Sequence, residues 1–213
     1  MPPEDPVFAP GTFLYIESKI RQDNLGTTFG SPFEWLSQYF LKNAPQYAGT
    51  FEKIWTWAKW PGSWGKDKGI DLVAKTKDGK LWAIQSKAYS PDYFIKKSDI
   101  DSFLSESNRP CFHFRLLICT TNNIGQNAWE TIQAQEKPVA TVLRTDLLQT
   151  QLNWPVTIGD APSVPIIKKT PRPHQQEAIL HGLAHFPRHD RGQLISACGT
   201  GKARTLFLMC LIN

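Results

Sequence analysis

The sequence predicts a mixed α/β domain followed by the opening of a second α/β segment. Three observations carry this. Two short apolar runs, Gly69–Ala74 and Leu81–Lys87, flank a turn signal, Lys77-Asp78-Gly79-Lys80, and read as a β-hairpin. Helical stripes and strand-like runs then alternate along the rest of the first 154 residues. Near the end, a strand-like run passes through a Gly-rich loop and a lysine into a helix.

In chain order, Phe13–Ile20 fits a helix after the breakers Pro10-Gly11. Ser31 reads as an N-cap and Pro32 as a first-turn residue, with Phe33, Leu36, Phe40 and Leu41 forming an apolar stripe. Glu34 falls in that first turn, where an acid suits the helix dipole. Phe51–Trp57 reads as a strand. Trp55, Trp57, Trp60 and Trp64 follow closely, and such a group is expected to pack as core rather than stack on bases. After the hairpin, Ser98 is expected to cap a helix over Asp99–Ser107, with Asp99 and Asp101 at its positive end. Phe112–Thr120 is a strand, Ile124–Gln135 a helix capped near Asn122 or Asn123, and Val139–Leu143 a further strand. His113 is expected to be a satisfied structural histidine within its strand.

Residues 1–154 thus form one domain. Pro155, Pro162, Pro165, Pro171 and Pro173 mark an extended linker over 155–170, and residues 171–213 begin a second unit.

The 213 residues are 41% hydrophobic and 12% aromatic, enough for a packed core, and hold no membrane-length apolar run. The N-terminus lacks the basic start and apolar stretch of a signal peptide. Cys111, Cys119, Cys198 and Cys210 form no CxxC pair and have no zinc spacing, so reduced cysteines in a cytoplasmic protein are expected. The net charge is +5, but residues 1–159 hold 17 basic against 16 acidic side chains. Bulk charge therefore does not mark the first domain as a nucleic-acid binder. Lysines do cluster about the hairpin; Lys66, Lys68, Lys96 and Lys97 are candidates to track a DNA backbone.

The hairpin carries the chemistry. Side chains alternate across a strand, so Gln85 and Lys87 share a face. Asp71 joins them only if it pairs with Gln85, which requires a three-residue loop, Lys77-Asp78-Gly79, closed by a left-handed Gly79. A two-residue loop would set Asp71 opposite Ser86, on the wrong face. A carboxylate, an amide oxygen and an ammonium on one face can hold Mg²⁺ beside a phosphate. Asp71 is then the principal ligand, Gln85 supplies a second oxygen, and Lys87 faces the phosphate or attacking water.

In the second segment, Gly192–Cys198 is a strand leading into Gly199-Thr200-Gly201-Lys202, and Arg204–Ile212 is helical. That is the context of a P-loop, whose backbone N–H groups and lysine cradle phosphates. Ala203 stands where a Ser or Thr would ligate Mg²⁺, and no DExH-type acid pair occurs before Asn213. No ATPase activity is expected from this chain.

The Asp71…Gln85-x-Lys87 pattern resembles the D…QxK form of the PD-(D/E)xK (restriction-endonuclease-like) core, in its Mrr-like branch. That resemblance implies a mixed sheet flanked by helices, Mg²⁺-dependent cleavage of double-stranded DNA, and an acid on the preceding helix, here Glu34, assisting at the metal. Arg172-Pro173-His174-Gln175 with the ACGTGK loop resembles the start of a superfamily 2 helicase motor, an incomplete RecA-like segment. The likeness implies that Gln175 reads adenine and that Gly199, Thr200, Gly201 and Lys202 bind ATP. In sequence order, the Gly30…Phe33-Glu34, Trp55-x-Trp57, Gly69-Ile-Asp71, Trp82–Lys87, Asp99–Phe103 and ACGTGK stretches are similar to the N-terminus of Type ISP restriction-modification enzymes. Those enzymes join nuclease, translocase, adenine methyltransferase and target-recognition domains in one polypeptide. By that resemblance this chain is the N-terminal part of such a protein, S-adenosylmethionine is a cofactor only of the absent methyltransferase, and the remaining domains are partners. Two other readings stand beside it: a catalytically degenerate DNA-binding or coupling module, and the nuclease of a Type IV or repair enzyme.

Overall fold

The computed structural model describes residues 8–23, 30–65, 69–159 and 173–185. The chain divides into two units, residues 1–166 and 167–213. The first contains five strands and five helices among its described residues. They follow in the order α1 (Phe13–Asp23), α2 (Gly30–Asn43), β1 (Phe51–Thr56), β2 (Leu72–Thr76), β3 (Leu81–Lys87), α3 (Lys97–Glu106), β4 (Phe114–Cys119), α4 (Gln126–Gln133), β5 (Val139–Val142) and α5 (Arg144–Gln149).

The strands form one sheet in chain order. β1, β2 and β3 are antiparallel neighbours, and β3, β4 and β5 run parallel. The parallel steps need crossovers, which α3 and α4 supply. Both of these helices cover one face: Ile100, Phe103, Ala128 and Ile132 bury against Val73, Ala83 and Leu117. The other face packs Leu72, Ala74, Ile84, Leu116 and Ile118 under α1, α2 and α5. This is the mixed, helix-flanked sheet that the sequence predicts.

The hairpin adopts the register with the three-residue loop. Lys75 faces Leu81 and Leu72 faces Ile84, and Asp71 directly precedes the last paired residue of β2. Thr76 N–H donates to the Lys80 carbonyl at 2.9 Å, and Gly79, at φ +86°, closes the turn. The Asp78 carboxylate accepts the Thr76 hydroxyl and pairs with Lys80 at 3.0 Å. The Thr76 hydroxyl, followed by Lys80, holds the Asp78 carboxyl well below the usual range, to about 2.

Several local expectations need correction. α2 begins at Gly30, which puts Ser31 inside the helix rather than at its N-cap. β1 stops at Thr56, and Trp57 starts a helical turn, Trp57–Lys59. Ser98 lies inside α3. The N-cap is Lys96, whose N–H donates to the Asp99 carboxylate at 2.8 Å, so an acid reaching back does the capping. α4 starts after Gly125, while the Asn122 side chain accepts the N–H of Thr145 instead. His113 precedes β4 and is exposed; its Nδ1 accepts the Leu81 N–H at 3.3 Å. α5 is an element that the sequence pattern does not predict.

The domain also continues past Trp154. That ring is buried against Phe13, Phe40 and Tyr39, Pro155 is buried, and the Val156 carbonyl accepts Lys19 Nζ at 3.3 Å. The tryptophan group packs as expected: Trp57 and Trp60 are buried, and Trp64 meets Trp57 edge-on at 4.7 Å. The second unit is described only through its helix α6 (Pro173–His185).

Candidate active site at the splayed end of the hairpin

Two devices aim the chain into Asp71. Ahead of it, Gly69 sits at φ +69°, and a Cβ there would lie 2.8 Å from the Phe103 amide nitrogen and 3.0 Å from Ser102 Cβ. Only glycine lets this strand entry press so closely onto α3. Gly69→Ala is therefore expected to destabilise the domain by about 2 kcal/mol or more, from left-handed strain plus the clash. Urea denaturation checks this, and an unchanged midpoint would contradict the close approach.

The backbone of Asp71 is then held on both sides. Its N–H donates to the Ile84 carbonyl at 3.0 Å, and its carbonyl accepts the Trp57 N–H at 2.8 Å. β2 and β3 part beyond this point, which frees the Ser86 N–H on the side facing β2. The Asp71 carboxylate takes that hydrogen bond, at 2.7 Å. One carboxylate oxygen is thus fixed by a backbone donor, so the acid is placed without spending the other oxygen on this bond.

Gln85 precedes Ser86 on β3, is 2% exposed, and its Oε1 has no hydrogen-bond partner. A buried carbonyl oxygen without a partner costs on the order of 1–3 kcal/mol. Such an atom beside a carboxylate suits a hard cation, and this is the observation that fits a metal to the site. Among the described residues no group of three or more His, Cys, Asp or Glu side chains could hold a metal, so a cation here would need the amide oxygen among its donors.

Lys87 follows on the same face of β3 and stands beside Cys119 on β4. Burial pushes the Cys119 thiol up; Lys87 acts against this and Asp99 adds to it. Asp99 also accepts the Tyr93 hydroxyl at 2.9 Å, which raises the Tyr93 phenol. Tyr89 stacks on Tyr93 with centroids 4.3 Å apart, and burial, followed by Asp99, raises its phenol too. Tyr89, Tyr93 and Asp99 thus form one contact group in the loop after β3 and at the start of α3. The sequence pattern singles out neither tyrosine and marks Asp99 only as a helix-dipole acid. The signal available was their place in the loop directly after the strand bearing Lys87.

The remaining candidates are placed as follows. Glu34 is half-buried on α2, whose apolar stripe packs on the face of the sheet opposite α3. It thus approaches from the other layer than Gln85 and Lys87. Lys96 and Lys97 are exposed at the start of α3, with Lys97 paired to Asp101 at 2.7 Å. Lys66 and Lys68 lie outside the described residues, as do Gly199, Thr200, Gly201 and Lys202; Gln175 stands on α6 of the second unit.

No described helix is long and apolar enough to cross a membrane. No sequence among the curated proteins matches this chain. Among solved structures, the ATP-dependent Type ISP restriction-modification enzyme LlaBIII, bound to DNA, superposes with a TM-score of 0.63 at 34% identity, over 92% of this chain. The chain spans 13% of the length of that enzyme. The DNA modification-dependent restriction endonuclease AspBHI matches 70% of this chain and 39% of its own, at 14% identity and a TM-score of 0.45. The Mrr_cat_2 restriction endonuclease family matches residues 42–163, a span that contains the whole Asp71–Lys87 hairpin. With more than half of its length in that match, the chain belongs to the Mrr_cat_2 family of restriction endonucleases and is a nuclease.

Proposed function

We propose that the first unit, residues 1–166, is the Mg²⁺-dependent DNA endonuclease domain of an ATP-dependent translocating restriction enzyme of the Type ISP kind. One observation supports the catalytic part: the Asp71 carboxylate is held by the Ser86 N–H, and Gln85, the residue before Ser86 on β3, carries a buried side-chain oxygen that has no partner. Asp71 and Gln85 would hold the cation, with Glu34 assisting from α2. Bound there, Mg²⁺ supplies polarisation of the phosphodiester and a more acidic water.

The chain's own groups do the rest. The Ser86 N–H fixes the carboxylate so that it need not reorganise when DNA arrives. Lys87 Nζ, on the same face, offsets the charge that builds on the scissile phosphate and orients the attacking water. Lys66, Lys68, Lys96 and Lys97 would track the DNA backbone.

The translocating part of the reading rests on the P-loop motif in the sequence and on the likeness to LlaBIII. The remaining motor, methyltransferase and target-recognition domains would belong to the same polypeptide, in the cytoplasm. Gln175 and Gly199–Lys202 would bind ATP there, and S-adenosylmethionine would serve the methyltransferase.

The test is cleavage of plasmid DNA by the translocating polypeptide with ATP and Mg²⁺. EDTA is expected to stop it, and Lys87→Ala to reduce it by roughly 10²-fold or more. Full cleavage by Lys87→Ala would overturn the assignment.

A further inference from the structure

The loop joining β3 to α3 is stitched to the end of β4. Thr120 N–H donates to the Lys87 carbonyl at 3.1 Å, and Tyr89 N–H donates to Thr120 Oγ1 at 2.7 Å. The Thr121 hydroxyl lies 2.9 Å and 2.8 Å from the carbonyls of Pro91 and Tyr93. Ile95 is fully buried; its N–H donates to the Asn123 carbonyl and its carbonyl accepts the Gly125 N–H, both at 2.9 Å. Tyr93 is held by Asp99. Between these two fixed residues stands Phe94, 62% exposed, the most exposed aromatic ring among the described residues.

A loose loop would fold such a ring inward and remove its apolar area from water. Here the bonds on both sides hold it out, at the strand end that carries Lys87. From this we propose that Phe94 is a DNA-contacting residue, stacking on or wedging into a base step of the duplex bound at the Asp71–Lys87 cluster. This rests on the nuclease reading above. Charge does not account for the position: Lys96 is exposed beside it, but Asp92 is exposed on the same loop and Lys97 is paired with Asp101. The ring itself offers the contact. Apolar side chains that insert at base steps unstack and kink the duplex, and stacked aromatics contribute affinity that tolerates any sequence.

The experiment uses the 213-residue chain and duplex DNA carrying 2-aminopurine, at several salt concentrations, with Phe94→Ala and Lys96→Ala compared to wild type. Phe94→Ala is expected to weaken binding about tenfold or more and to abolish a 2-aminopurine fluorescence rise seen with wild type. It should leave the salt slope and the melting temperature unchanged. Lys96→Ala is expected to flatten the salt slope, as loss of a phosphate contact does. Wild-type binding with an unaltered Phe94→Ala affinity and fluorescence would overturn this inference alone, and would place the ring at a protein contact instead. Absence of any DNA binding by wild type would overturn both it and the nuclease reading.

Discussion

Asp71→Asn is expected to lower DNA cleavage by roughly 10³-fold in the complete enzyme while leaving the fold intact. The two effects separate because the side chain does two jobs. Its oxygen accepts the Ser86 N–H at 2.7 Å, and an asparagine carbonyl can do the same without changing shape. The negative charge is what a divalent cation needs, and Gln85, being neutral, cannot replace it. Loss of the several kcal/mol of charge stabilisation that a bound metal supplies corresponds to about that rate factor. Asp71→Ala should add a stability loss, because it leaves the Ser86 N–H without its partner. Single-turnover cleavage and urea denaturation, run on both variants, read the two effects apart. Cleavage by Asp71→Asn within tenfold of wild type would remove Asp71 from the chemistry.

Arg115→Ala is expected to destabilise the domain by about 3–5 kcal/mol, a large share of the typical 5–15 kcal/mol total. Arg115 is 1% exposed at the start of β4, far along the sheet from the chemical end. Its guanidinium donates to the Leu104 carbonyl at 2.7 Å, Ser107 Oγ at 2.8 Å, the Lys137 carbonyl at 2.9 Å and Gln135 Oε1 at 3.2 Å. Burial lowers its pKa, the mark of a charge kept dry. The partners include the Leu104 carbonyl at the negative end of α3, where a cation is favoured. Lys137 Nζ adds bonds to the Asn108, Arg109 and Phe112 carbonyls of the connection that follows. One side chain therefore ties α3, α4 and the approach to β5 together. Truncation leaves those acceptors buried and unpaired. Arg115→Lys is expected to recover little, since one ammonium cannot reproduce the guanidinium fork. Thermal and urea unfolding check this; a loss below about 1 kcal/mol would show that water replaces the network.

How much of this was legible in the sequence follows from the range of the forces involved. The hairpin register was legible because its determinants are local: a glycine able to take φ +86°, and a two-residue period that ties loop length to the face of Asp71. The tryptophans' role as core was legible from size alone. The caps were not. Ser98 and Asn123 suit caps by residue type, yet the helices start where Asp99 reaches back to Lys96 and where Gly125 is held by Ile95. α5 and the Trp154 segment were missed because what holds them is distant in sequence: Trp154 N–H donates to the Gly11 carbonyl, and its ring fills a site built by α1 and α2. The candidate ligands Asp71 and Gln85, with Lys87 beside Gln85 on its face of β3, are readable from spacing. Tyr89, Tyr93 and Asp99 were not, since their convergence depends on the loop being bound to Thr120 and Thr121.

The most direct test of the metal site is anomalous diffraction from crystals of this chain soaked in Mn²⁺. A peak within coordination distance of both the Asp71 carboxylate and Gln85 Oε1, absent from Asp71→Ala crystals, is the expected result. A Gln85 oxygen satisfied by a protein donor, with no peak between the two residues at saturating Mn²⁺, would contradict the account.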